Sequence, residues 1–267
     1  MKRLISFPLP LTFLAFLFSS CLIAIHDYSA RRDLSFEGKF YKKITFKSGG
    51  TLSLKNINGN IEIKGWDRDE VELTAQKTFR ESFERRIYFF PLRNPLPRVD
   101  IEKDESSISI RTRVKSFKEE GLSYVDYFLQ VPRSINLKDI TCEEGDVYVS
   151  DLFGEVSVKI EKGDVILKNF SGSVRASTVR GSIEMELLDI REYDEVRVLT
   201  RQGDIVIYLE PDVNAQIEAR SSRGEVSCEF ELEKVVPGEK FSAELGGGGA
   251  LISLKSLEGR IFIRKIT

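Results

Sequence analysis

Glycine recurs at every ninth residue through the middle of this chain, at Gly145, Gly154, Gly163, Gly172 and Gly181. No other feature restricts the fold as strongly. After each glycine one position is free and the next is apolar, and the alternation then repeats: Val147/Val149, Val156/Val158, Val165/Leu167, Val174/Ala176 and Ile183/Met185. Period-2 alternation marks strands with one buried face. Glycine marks the turns between them, where a positive φ costs little. A fixed period of this kind decides architecture before any single residue does.

Aligned on every second glycine, the pattern extends in both directions. Apolar pairs precede the corner at Leu52/Leu54, Val156/Val158, Val174/Ala176, Val196/Val198, Ile217/Ala219 and Ile252/Leu254. Pairs follow it at Ile61/Ile63, Val165/Leu167, Ile205/Ile207, Val226/Cys228 and Ile261/Ile263. The third residue before the corner is usually small and polar (Asn56, Thr178, Thr200, Ser221, Ser256), and Cys142 and Ile160 break that rule. Steps between the corners at Gly145, Gly163, Gly181, Gly203, Gly224 and Gly259 are 18, 18, 22, 21 and 35 residues, the last holding a loop-rich stretch. A strand–corner–strand unit this short cannot bury its apolar face alone, so neighbouring units must stack. The expected fold is all-β: a single-chain, two-faced β-solenoid, or β-helix, of stacked turns of 18–22 residues, with corners at Gly59 and the six glycines just named. An antiparallel sandwich of short strands is the alternative.

The N-terminus reads as an export signal. Lys2 and Arg3 precede an apolar run, and Ser19, Ser20 and Cys21 follow it. Phe18-Ser19-Ser20-Cys21 resembles the bacterial lipobox, which makes Cys21 the candidate lipidation site. Two other readings stand: residues 4–25 are long enough to span a bilayer uncut, or cleavage follows Ala30. Each exports the domain, and the first two anchor it in a membrane of the cell envelope. The expected organisation is a lipoprotein-type signal over 1–20, a tether over 21–40 and a solenoid domain over 41–267. An irregular insert occupies 79–135.

Charge and composition remove several function classes. Lys and Arg number 40 against 42 Asp and Glu, so no nucleic-acid partner is expected. The one histidine, His26, lies outside the repeats, which argues against histidine-dependent catalysis and zinc chemistry. Three cysteines without a CxxC form no disulfide framework. Cys142 and Cys228 are expected as free buried thiols about four turns apart, or nearly 20 Å at ~4.8 Å per turn, beyond disulfide reach.

The segment Gly59-Asn60-Ile61-Glu62-Ile63-Lys64-Gly65-Trp66-Asp67, followed by Asp69-Glu70-Val71-Glu72-Leu73, resembles the opening of the bacterial putative-adhesin family, a domain of unknown function. So does Tyr127-Phe128-Leu129-Gln130-Val131-Pro132 leading into Gly145-Asp146-Val147. The resemblance covers roughly residues 44–267. It implies an exported β-helix with a surface role, and it carries no catalytic residues. The aromatic segment 79–98 departs from the family pattern.

That segment, FRESFERRIYFFPLRNPLPR, contains prolines that exclude a regular strand. Ile87, Tyr88, Phe89 and Phe90, with Arg85 and Arg86, are either a flap closing one end of the solenoid or a patch for a protein or glycan partner. Asp146, Asp164 and Asp204 each follow a corner glycine, with Ser182 and Glu225 in equivalent places. Stacked, they form a column, read as a solvated ladder offset by Lys162, Arg180 and Arg223; calcium binding is the alternative. No cofactor, metal or catalytic residue is expected. A carbohydrate-active enzyme would need paired carboxylates in a cleft, and turns this short leave little room for one. The expected function is a non-enzymatic envelope lipoprotein that binds or scaffolds, and the alternatives are that enzyme or an envelope-sensing accessory protein. Arg260, Arg264 and Lys265 guard what reads as an open last strand, Ile261–Lys265, which points to a monomer.

Overall fold

The computed structural model describes residues 34–81, 96–114, 121–231 and 241–266. Among them are eighteen strands. The first six are β1 (Leu34–Thr45), β2 (Thr51–Lys55), β3 (Ile61–Trp66), β4 (Glu70–Glu81), β5 (Arg98–Lys103) and β6 (Ser107–Arg113). They are followed by β7 (Gly121–Pro132), β8 (Asn136–Glu144), β9 (Val147–Lys162), β10 (Val165–Arg180), β11 (Ile183–Leu187) and β12 (Glu195–Gln202). The last are β13 (Ile205–Leu209), β14 (Ala215–Ser221), β15 (Val226–Cys228), β16 (Phe241–Leu245), β17 (Ala250–Glu258) and β18 (Ile261–Lys265).

The pairing builds two walls around an apolar shaft. Strands before the glycine corner form a leading wall in the order β5–β6–β2–β8–β9–β10–β12–β17–β14–β16. Strands after it form a trailing wall in the order β1–β4–β7–β3–β9–β10–β11–β13–β18–β15. β9 and β10 each run round a second corner and contribute to both walls, so the whole is one hydrogen-bonded sheet. All interior pairings are parallel, and antiparallel strands cap both ends of the leading wall and the β1–β4–β7 end of the trailing wall. The fold is the all-β solenoid expected from the glycine period.

The alternation puts every second side chain in the shaft. Val147, Val165, Ile183, Ile205 and Ile261 line the trailing wall, each buried. Val156, Val174, Val196, Ile252 and Ile217 do the same on the leading wall. Stacked aliphatic rows of this kind let each turn bury its neighbour's apolar face, at roughly 25 cal/mol per Å² removed from water.

The order of turns along the axis departs from the order in sequence. The turn of β17 and β18 sits between that of β12 and β13 and that of β14 and β15. The turn of β2 and β3 likewise lies between β6 and β7 on one side and β8 and β9 on the other. Both terminal repeats are thus clasped inside the stack, and the outer turns are their neighbours in sequence. Three expectations change. The last strand is not open: β18 pairs with β13 and with β15. Within the expected irregular insert, β6 and β7 are regular strands in register with β2 and β3. The sheet also begins at Leu34, within the segment expected as tether, where β1 pairs with β4.

Candidate functional site

The corners come first, because they fix everything outside them. Gly163 has φ 136°, and a Cβ there would lie 2.2 Å from the carbonyl oxygen of Gly145. Conformation and space both demand glycine. The same contact repeats from Gly145 to Gly59, Gly181 to Gly163, Gly203 to Gly181, Gly259 to Gly203 and Gly224 to Gly259. All seven predicted corner glycines therefore stand in one column, with Gly259 and Gly224 in exchanged order. Gly65 of the Gly-Trp pair serves a related purpose: a Cβ there would meet the Asp151 carbonyl oxygen at 1.9 Å.

Two polar ladders flank this column. Inside, where the slot three residues before a corner glycine holds Thr or Ser, it donates to the corner carbonyl of the adjacent turn. The Oγ1 atoms of Thr178 and Thr200 donate to the carbonyls of Gly163 (3.1 Å) and Gly181 (2.9 Å). Ser256 Oγ donates to Gly203 (3.0 Å) and Ser221 Oγ to Gly259 (2.6 Å). Each bond satisfies a polar group that burial would otherwise leave costly. At the β6–β7 end the slot is Thr112, which donates to Asn56 Oδ1 (2.8 Å) and bonds the Tyr127 hydroxyl (2.7 Å). Burial pushes the Tyr127 phenol up to about 12.

Outside, the residue after each corner accepts a backbone N–H from the next turn. Asp146 Oδ1 accepts from Asp164 (2.8 Å), Asp164 Oδ1 from Ser182 (2.7 Å), and Asp204 Oδ1 from Arg260 (2.7 Å). Asn60 Oδ1 and Asp126 Oδ1 extend the ladder at the other end. The column expected at Asp146, Asp164, Ser182 and Asp204 is thus a hydrogen-bond ladder. Its next member is Arg260 rather than Glu225, because of the inserted turn. The Arg260 N–H, aided by its guanidinium, holds the Asp204 carboxyl below the usual carboxylate range against the opposing effect of burial. Among the described residues, no three His, Cys, Asp or Glu side chains converge on a metal-sized site.

The outer surfaces of the walls carry what remains. On the trailing wall a register row runs Phe128, Glu62, Tyr148, Ile166, Glu184, Val206, Phe262. Cations beside it are engaged: Lys64 with Asp151, Lys168 with Glu184, and Arg264 over the Phe262 ring at 5.3 Å. On the leading wall the row is Arg111, Lys55, Thr141, Lys159, Ser177, Leu199, Lys255, Arg220. It has no acidic member. A groove of about 890 Å³ opens on the same wall, with Arg175, Ser177, Arg197, Ser253 and Lys255 in its lining, and Glu195, Glu218 and Glu244 also present. Glu195 is ion-paired to Arg197 and to Arg175 (3.8 Å).

The sequence-level candidates are placed unevenly. Cys21, Arg85, Arg86, Ile87, Tyr88, Phe89 and Phe90 lie outside the described residues. Cys142 and Cys228 are free, Cys142 buried and Cys228 half-buried, and five turn steps separate them rather than four because of the inserted turn. The Cys142 thiol donates to the Gly59 carbonyl at 3.4 Å, and burial pushes its pKa up to about 11. The leading-wall row was not visible in sequence, since its members fall in one line only once the order of turns is known.

The family model described as Toastrack DUF4097 matches residues 33–243. The chain belongs to the Toastrack family. The Toastrack match stops within β16, while the clasped turn of β17 and β18 follows it in sequence. No curated protein matches the chain. Among solved structures, it is similar to a putative cell adhesion protein of Clostridium sporogenes at 13% identity and a TM-score of 0.46, over 86% of this chain and 100% of that one. A putative adhesin of Bacteroides fragilis is similar at 11% identity and a TM-score of 0.32, over 86% and 97%. A putative lipid binding protein of Parabacteroides distasonis gives 11% and 0.29 over the same shares.

Proposed function

We propose that this Toastrack protein is a non-enzymatic component of the cell envelope, exported, held at a membrane through a lipid on Cys21, and used to bind or scaffold through the outer walls of its solenoid. One observation carries the reading. The corner carboxylates are engaged as acceptors for backbone N–H groups of adjacent turns, so the acidic column works in holding the stack. What varies from turn to turn is the outward-facing set on the two walls, a property suited to recognition over an extended surface. The basic and apolar N-terminal sequence supports export, and the serine-serine-cysteine end of that run supports lipidation.

Cell fractionation of a Cys21→Ser chain tests the anchor. Release of the protein from the membrane fraction is expected. Retention in that fraction would replace the lipid with an uncut apolar helix.

A further inference from the structure

Resting on the binding reading above, we infer that the leading wall is a track for one extended anionic polysaccharide, lying along the solenoid axis over the row from Arg111 to Arg220. Five of the eight positions in this row are cations: Arg111, Lys55, Lys159, Lys255 and Arg220. They are exposed. Among the described residues, Lys55, Lys159 and Lys255 make no ion pair, whereas Lys64, Lys168 and Arg264 of the trailing wall are engaged. The row beside it adds Arg175 and Arg197, both paired to Glu195, among Ser109, Ser53, Ser157 and Ser253, and ends beside Arg220 in Glu218, which closes the strip there. Cations set among hydroxyls suit a chain that presents both carboxylates and sugar hydroxyls.

Shape and charge choose the occupant. The row crosses eight parallel turns at ~4.8 Å each, about 34 Å end to end. The rise of one turn is close to the length of one pyranose residue in an extended chain, so regularly spaced anionic groups can meet successive cations. The strip is only two rows wide. Glu155 and Glu195 flank it on one side, Glu143 and Glu161 on the other. A single polymer fits between them, whereas a planar anionic bilayer would be met by those carboxylates. No aromatic residue interrupts the two rows, so nothing offers the stacking that single-stranded nucleic acid uses. The groove of about 890 Å³ deepens the track where Arg175, Arg197 and Lys255 gather.

The test uses the purified full chain and fluorescent polygalacturonate at 0.15 M salt, read by anisotropy. Methyl-esterified polygalacturonate, inorganic polyphosphate and phosphatidylglycerol vesicles are run beside it. Binding to polygalacturonate and not to its neutral ester is expected. The triple change Lys55→Glu, Lys159→Glu, Lys255→Glu should weaken it about tenfold, and Lys39→Glu, Lys64→Glu, Arg264→Glu on the other wall by no more than about twofold. If the first triple does not fold by circular dichroism, the Lys→Gln triple at the same positions takes its place. Absence of binding, equal loss in both triples, or preference for polyphosphate or vesicles would each overturn the track. Those results are read independently of fractionation: a chain released by Cys21→Ser that binds no polyanion loses the track and keeps the anchor.

Discussion

The two walls of this solenoid share their turns, their register and their inward-facing aliphatic rows, yet their outer surfaces are unlike. The trailing wall presents Phe128, Tyr148, Ile166, Val206 and Phe262, and its neighbouring cations are committed to carboxylates or rings. The leading wall presents an acid-free row rich in lysine and arginine. Stacking constrains only the residues that face the shaft, the corner and its polar ladders. Since both walls meet that demand with the same aliphatic types, the contrast outside them is not required by the fold. It therefore marks where recognition is to be sought.

Substitutions at the corners should produce the largest effects, and on both walls at once. Gly163→Ala forces a Cβ to within 2.2 Å of a carbonyl oxygen at a φ of 136°. A loss of about 4 kcal/mol or failure to fold is expected. Gly49→Ala, at φ 85° with nothing within 4 Å of the new atom, should cost only about 1 kcal/mol. Urea denaturation of the two variants checks this difference. Inward truncations come next and should make the walls look alike. Ile205→Ala on the trailing wall and Ile252→Ala on the leading wall should each cost about 2–4 kcal/mol. A markedly cheaper loss on one side would break the equivalence. Outward truncation of Ile166 should cost less than ~1 kcal/mol.

Smaller effects sharpen the corner. Thr200→Val keeps shape but removes the 2.9 Å bond to the Gly181 carbonyl, with about 1 kcal/mol lost by the same denaturation measurement. Ile160 already occupies the equivalent slot without such a bond, so Ile160→Val should be felt only through packing. The acid response is smaller again. Because the folded-state pKa of Asp204 is lowered, its contribution is present above the ordinary aspartate range. It is lost as pH falls through the folded value. Asp204→Asn should therefore lower stability modestly near neutrality, where that contribution is present, and flatten the acid end of a stability–pH profile, where the wild type has already lost it. Cys142, raised by burial, should resist alkylation at pH 8 until the chain is unfolded.

Much of this was legible in the sequence, because a nine-residue glycine period with alternating aliphatics leaves little choice. The corner column, the two free cysteines and the shaft rows all follow from it. The order of turns did not. Val226/Cys228 and Ile261/Ile263 carry the same inward pattern, and parallel ladders pair on that pattern whichever turn supplies it. The one hint was the 35-residue step from Gly224 to Gly259, long enough for the chain to go out over one turn and return beneath it. The strands β6 and β7 fell outside the repeat because the nine-residue glycine rhythm stops between Gly59 and Gly145, although Thr112 fills the polar slot there. The basic row was hidden for a related reason. Lys55, Arg111, Lys159 and Lys255 lie far apart in sequence, and turns of unequal length conceal their alignment. The Asp column was visible as a column, but its purpose depended on seeing that each carboxylate faces the N–H of the turn beside it.

Cross-linking across the clasped turn tests the order on which both walls depend. In a Cys21→Ser chain, Arg197→Cys with Ser253→Cys joins register partners on β12 and β17, at a spacing that a disulfide can bridge. Arg197→Cys with Glu218→Cys places the pair two turns apart. Mass analysis after oxidation should find the first pair bonded and the second reduced. A bond in the second pair and none in the first would mean that the turns stack in sequence order, and the basic row would no longer be a row.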